Sequence, residues 1–205
     1  MALILLDYMG IFAFALSGAL KGLRKQMDVF GILVLALVTA VGGGTVRDLI
    51  IGHIPPRWLS EPSYVLLVAA ATLAAVGLPR VLIKTERVIL FFDAIGLGVF
   101  TVIGAQQALD AELGGIGVVT VGCITAVGGG MIRDLLAAEV PVVLHKEIYA
   151  SAAVVGGLLV WALQFTTIPH AIGLTASAVV VVTIRLLAMR YHWGLPAMRE
   201  PGSDS

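Results

Sequence analysis

The sequence predicts an all-α integral membrane protein: seven transmembrane helices, arranged as two inverted three-helix repeats plus a seventh helix, with glycine-kinked second and fifth helices. Three observations predict it. Of the 205 residues, 59% are hydrophobic and only 13% are charged, about half the charged share of a soluble domain. The apolar residues lie in runs close to the ~20 residues that a helix needs to cross a bilayer. And the chain matches itself, without gaps, at a shift of 86 residues.

Seven segments satisfy the length requirement: about Leu3–Leu20, Val29–Ile51, Ser63–Ile83, Val88–Leu109, Ile116–Ala137, Ile148–Thr166 and Ala171–Met189. Polar, Pro or Gly clusters separate them, as loops should. Met1 to Leu6 lacks the basic stretch of a cleavable signal, so the first helix is expected to be retained. Basic residues set the orientation. Lys21, Arg24 and Lys25 follow the first span, Arg80, Lys84 and Arg87 the third, Lys146 the fifth, and Arg190 and Arg199 lie in the tail. The opposite loops hold Arg57, then Asp110 and Glu112 without a basic residue, then His170. Cytoplasmic loops carry the Lys/Arg excess. The N-terminus is therefore expected outside and the C-terminus in the cytoplasm. Trp58, Tyr191 and Trp193 fall near span ends, where aromatic side chains anchor at headgroups.

The repeat carries the most information. Thr39-Ala-Val-Gly-Gly-Gly-Thr-Val-Arg-Asp-Leu49 overlays Thr125-Ala-Val-Gly-Gly-Gly-Met-Ile-Arg-Asp-Leu135, with two of eleven positions different. The same register pairs Asp7 with Asp93, Gly10 with Gly96, Phe14 with Phe100, Gly18-Ala19 with Gly104-Ala105, Pro55 with Pro141 and Glu61 with Glu147. The repeats are expected over residues 1–85 and 86–169, the seventh helix over 170–190 and a polar cytoplasmic tail over 191–205. Three spans per repeat turn the second copy upside down, the inverted arrangement common among transport proteins.

Gly42, Gly43 and Gly44, and their counterparts Gly128, Gly129 and Gly130, are expected to break or bend their helices. Each glycine weakens a helix by about 1 kcal/mol relative to Ala. Backbone freed by a break is tolerated in a membrane only when buried in protein or lining water. Freed carbonyls suit a cation. The alternative is close packing, because small residues let membrane helices approach. Charges come next. Ionisable groups in a span are costly and usually paired or facing water. Arg47 and Asp48, like Arg133 and Asp134, are sequence neighbours that point different ways on a helix, so each Arg is expected to find another partner. Depth in the bilayer suggests Asp7 for Arg47 and Asp93 for Arg133, as structural ion pairs closing the bundle ends or as part of a conduction path. Ser17, Thr39, Thr101 and Thr125 either face a water path or bond back to their own helix backbone. His53 and His145 are expected in solvent, and Arg185 is expected to snorkel to headgroups.

Several classes of chemistry are missing. There is no H-E-x-x-H, G-x-S-x-G or P-loop lysine, so no enzyme is expected. Cys123 is the single cysteine, which excludes an intrachain disulfide. No cofactor or tight metal site is expected. The zero net charge offers no basic face to nucleic acid.

The doubled G-G-G-x-x-R-D, the seven spans and the three-plus-three-plus-one layout resemble the prokaryotic TRIC (trimeric intracellular cation) channels over the whole chain except the tail. The resemblance implies an inner-membrane homotrimer in contact with membrane lipids, with an hourglass pore in each protomer. It implies passage of monovalent cations, mainly K+ and also Na+, near the kinked second and fifth helices. Animal members carry Lys-Glu-Val after a kinked helix and bind acidic lipid there. This chain has Arg133-Asp134-Leu135 instead. Some bacterial relatives are described as glycine transporters, and a secondary transporter of a small amino acid is the alternative reading. A scaffold without transport is the third, although intact helices would serve it better.

Overall fold

The computed structural model describes residues 2–77, 86–145 and 148–193, and among these every regular element is a helix. Arg80, Lys84, Lys146, Glu147, Arg199 and the tail from 194 onward lie outside the described residues. Among the described residues nine helices follow in order: α1 (Ala2–Arg24), α2 (Val29–Ile50), α3 (Arg57–Ser60), α4 (Pro62–Gly77), α5 (Glu86–Asp110), α6 (Gly115–Leu136), α7 (Val142–His145), α8 (Ala150–Leu163) and α9 (His170–Tyr191). Five of them, α1, α2, α5, α6 and α9, are long and apolar enough to cross a membrane. α4 and α8 are shorter apolar helices at equivalent places in the two repeats. The chain is an all-helical membrane protein.

α1, α2, α5 and α6 form the centre, with α4 packed on α1, α8 on α6 and α5, and α9 on α5 and α8. α5 is the most deeply buried of the long helices, and its sequence accounts for that. Gly96, Gly98, Gly104, Ala94, Ala105 and Ala108 keep its surface low on several sides, and all are buried. The outer faces of α2, α6 and α9 carry exposed Phe30, Leu33, Leu49, Ile116, Leu135 and Val179, the exposure that a lipid-facing surface requires. Asp28 caps α2 by accepting from the Gly31 N–H at 2.7 Å.

The structure corrects the expected helix breaks. α2 runs unbroken through Gly42–Gly44, and α6 runs unbroken through Gly128–Gly130. The triplets are where the two helices cross. A β-carbon on Gly43 would overlap the Thr125 carbonyl oxygen, and one on Gly129 would overlap the Thr39 carbonyl oxygen. The packing alternative describes these glycines: backbone approaches backbone where no side chain intervenes. The contacts are reciprocal, as a two-fold relation between the halves requires. The same holds at the core, where the Phe14 and Phe100 rings meet at 5.1 Å. Phe14 lies against Gly96, and Phe100 against Gly10.

Candidate functional site

The duplicated Arg-Asp places a charged cluster near each end of the four central helices, and both are built on one skeleton. In the second repeat, Arg133 Nε and Nη2 donate to Asp134 Oδ1 at 2.9 Å each. Its Nη1 reaches Asp93 Oδ1 at 2.5 Å and Ser17 Oγ at 2.7 Å. In the first repeat, Arg47 grips Asp48 Oδ1 through Nε at 2.9 Å and Nη2 at 2.8 Å. The expectation that neighbouring Arg and Asp do not pair is thus overturned at both sites. Their Cβ atoms diverge, but the long arginine arm folds its guanidinium back to the carboxylate. The second oxygen of each aspartate holds the chain after the helix. Asp48 Oδ2 accepts from the Arg57 N–H at 3.0 Å, and Asp134 Oδ2 from the Val142 N–H at 3.1 Å. Pro56 matches Val142 in the repeat but has no N–H to give, so Arg57 supplies it.

The expected partnership of Asp93 with Arg133 is present. Asp7 and Arg47 line one small cavity together with Gly44, Trp58, Tyr64 and Phe100, but no ion pair joins them among the described residues. The Tyr64 hydroxyl donates to Asp7 instead. Tyr149 stands near Asp93 in the other half: its hydroxyl lies 2.8 Å from where a Gly130 β-carbon would be, and Asp93 Oδ1 lies 3.2 Å from the same point. The two tyrosines fall one residue out of the repeat register, so a gapless overlay misses them.

The ends differ in what surrounds the skeleton. At the Asp93 end, Lys21 is buried and bonds to Glu139, with Asp134 Oδ1 at 3.8 Å. Lys25 reaches the other oxygen of Glu139 at 2.8 Å. Burial pushes the Glu139 carboxyl up, but the hydrogen bonds and charges of Lys21 and Lys25 outweigh it and lower its pKa to about 2. Lys21 and Glu139 were not expected at the site. Their signal was present in the only acid between Asp134 and Pro141. At the Asp7 end, a vestibule of about 440 Å³ opens between Leu3, Asp7, Arg57, Glu61, Gln107 and Asp110, among others. Three carboxylates face one guanidinium there.

The hydroxyls of Thr39, Thr101 and Thr125 are buried and donate to carbonyls four residues back, Leu35 at 2.5 Å, Leu97 at 2.7 Å and Val121 at 2.6 Å. Ser17 donates to the Ile89 carbonyl at 3.1 Å while receiving Arg133. Trp58 Nε1 donates to Thr45 Oγ1 at 3.0 Å, and its indole lines the small cavity. One further placement is corrected. Arg185 does not snorkel. It is 2% exposed, with its guanidinium stacked 4.8 Å from the Tyr149 ring centre. α9 packs that face on α5 and α8, so the side chain has no route to the surface. His53 is exposed, and the His145 side chain lies outside the described residues. Among the described residues, no three His, Cys, Asp or Glu side chains are placed to hold a metal ion.

A membrane-embedded bundle with reciprocal halves and a charged cluster at each end belongs to the class of duplicated polytopic membrane proteins. A sequence model of the family described as Glycine transporter matches residues 4–80 and 90–164. The chain is 42% identical over 203 residues to the UPF0126 inner membrane protein YadS of Escherichia coli (strain K12), covering 96% of this chain and 97% of that one. It is 42% identical over 200 residues to a UPF0126 membrane protein of Deinococcus radiodurans, covering 96% and 92%. Among solved structures, a TRIC cation channel superposes with a TM-score of 0.86 at 40% identity, covering 97% of this chain and 98% of that one. A TRIC trimeric intracellular cation channel orthologue from Rhodobacter sphaeroides superposes with a TM-score of 0.86 at 37% identity, covering 93% and 98%. The chain belongs to the prokaryotic TRIC channel family.

Proposed function

We propose that this protein is a monovalent cation channel, mainly for potassium, which works as a homotrimer with a pathway inside each protomer. The observation that carries the proposal is the vestibule lined by Asp7, Glu61 and Asp110 against Arg57 alone. Carboxylates at a wide, wet mouth concentrate cations and repel anions. Beyond it lies the cavity at Asp7, Gly44 and Arg47. The route then continues between α1, α2, α5 and α6, past Phe14 and Phe100, toward Arg133 and Lys21. In this conformation the aromatic pair and the Lys21–Glu139 cluster close it. The similarity to solved cation channels supports the same reading.

All seven apolar helices cross the membrane in this proposal, with the vestibule outside and Lys21, Arg24 and Lys25 in the cytoplasm, as the positive-inside rule requires. The described parts of α4 and α8 span only ~24 and ~21 Å at 1.5 Å per residue. The short α3 and α7 precede them and add to their reach. Opening bends α2 and α6 at their glycine crossing. That movement carries Thr39 and Thr125 toward the path. No tight dehydrating filter is present in the sequence, so selectivity among monovalent cations is weak.

The test is electrical. Purified protein in a planar bilayer with unequal KCl on the two sides should give discrete current steps that reverse near the potassium potential. An absence of current, together with glycine uptake by the same protein in liposomes, would replace the channel with a transporter.

A further inference from the structure

Four buried polar atoms without partners lie around one tyrosine: Asp93 Oδ2, Tyr149 OH, and Arg185 Nε and Nη2. Arg185 comes from α9, the helix outside the repeat. Its only hydrogen bond among the described residues is a long one, from Nη1 to the Ile148 carbonyl at 3.3 Å. Asp93 is fully buried and offers only Oδ1 to Arg133. Tyr149 links the two, with Arg185 over its ring at 4.8 Å and Asp93 Oδ1 beside its hydroxyl. A buried guanidinium with idle N–H groups is expensive. So is an idle carboxylate oxygen. Yet the two stand beside the same phenol and remain unjoined, while Arg133 takes both Asp93 and Asp134.

We propose that Arg185 is a second cationic partner for Asp93, held in reserve. When Arg133 withdraws from Asp93, Arg185 takes the free carboxylate oxygen and keeps that charge neutralised while the path is open. The inference rests on the channel reading of the inner cluster. Without such a partner, releasing Arg133 would strand Asp93 as an unpaired buried anion, which disfavours the open state. Contact with the Tyr149 ring, whose hydroxyl neighbours Asp93, holds the guanidinium in place, so Arg185 is a positioning residue that acts through Asp93.

Single-channel recording of Arg185→Gln in the full-length protein tests this, after size-exclusion chromatography shows the variant assembled like wild type. Open probability should fall about tenfold, while unitary conductance and reversal potential stay unchanged. A simple structural defect would not produce that split. Arg185→Lys should restore part of the loss, because it keeps the charge without the fork. In an Asp93→Asn background, Arg185→Gln should have no further effect. Wild-type opening in Arg185→Gln, or a loss that simply multiplies with that of Asp93→Asn, overturns the proposal. If wild-type protein passes no current, the channel reading fails by itself. The pairing is then judged from 15N-arginine NMR of the purified protein, with the Arg185 signal assigned through Arg185→Lys. A signal that ignores Asp93→Asn overturns the pairing too, and one that shifts upholds it.

Discussion

Replacing Gly43 or Gly129 with alanine should push apart the two helices that cross at the centre of the molecule. The added methyl on either residue falls inside contact distance of a carbonyl oxygen on the facing helix, Thr125 for Gly43 and Thr39 for Gly129. An ordinary carbon–oxygen contact is about 3.3 Å, so the helices must separate by about 1 Å to accommodate it. The obstacle is backbone held within its own helix, and it has no rotamer to change. Overpacking of this kind costs about 1–3 kcal/mol, and the rigid obstacle places these two near the upper end. Alanine returns about 1 kcal/mol of helix propensity, leaving a net loss of about 2 kcal/mol. For a chain of this length that lowers the thermal midpoint by about 4–8 °C. Gly44→Ala is the control within the same triplet, because its methyl would meet only the Arg47 guanidinium, at an ordinary contact distance of 3.5 Å. It should hold or raise the midpoint. The assay is thermal unfolding of purified protein in detergent, followed by size-exclusion chromatography. Equal midpoints for Gly43→Ala, Gly129→Ala and wild type, or an equal fall for Gly44→Ala, would refute the close-crossing argument.

Three other perturbations probe the charged ends. Glu139→Gln removes the negative charge shared by Lys21 and Lys25, so single-channel open probability should rise several-fold. In wild type the same cluster should be insensitive to pH from about 8 down to about 5, because a carboxylate whose pKa falls on folding stabilises above its ordinary 4.5 and loses that contribution only as pH drops toward about 2. A change in the thermal midpoint or the opening across the upper range, traced to Glu139 by its absence in Glu139→Gln, would contradict this. Asp7→Asn removes one of three vestibule carboxylates; the reversal potential in a KCl gradient should move toward zero, whereas an unchanged value would detach the vestibule from selectivity. Asp134→Asn leaves Arg133 with one carboxylate and weakens the hold on the Val142 N–H. Leaving a buried charge unpaired costs about 3–5 kcal/mol; Arg133 keeps Asp93, whereas Asp48→Asn takes from Arg47 its one ion pair among the described residues, so the thermal midpoint of Asp134→Asn should fall less than that of Asp48→Asn.

Much of the fold was legible because membrane insertion and duplication leave strong signals. The apolar runs located the helices to within a few residues, and α2 and α6 begin and end 86 residues apart, as the register requires. The Asp93–Arg133 pair was legible because depth along two spans is a countable quantity. The glycine triplets were misread for a physical reason. A glycine permits both a break and a close approach, and only the facing helix decides between them. Here it presents a carbonyl to the empty space above Gly43 and Gly129. The neighbouring Arg–Asp pairs were missed because helical-wheel reasoning follows Cβ directions, while an arginine carries its charge several bonds beyond. Tyr64 and Tyr149 escaped through their one-residue offset. Arg185 escaped because its distance from the chain end suggested the interface, whereas packing of α9 on α5 and α8 holds it inside.

The two ends share a skeleton, and a few substitutions make them unlike. At the repeat register, Ser17 matches Ile103, Lys21 matches Gln107 and Glu139 matches His53. Ser17 receives Arg133 and donates to α5, and Lys21 bridges to Glu139 and Asp134. Every one of those bonds draws α1, α5 and α6 together. Ile103 has no hydrogen bond to offer, and the Gln107 amide oxygen finds no partner. Exposed His53 gives the other end no counterpart of Glu139. The same backbone therefore closes on added polar contacts at one end and stands open as a vestibule at the other. In the proposed channel, changes at Ser17, Lys21 and Glu139 should therefore alter opening more than changes at their counterparts.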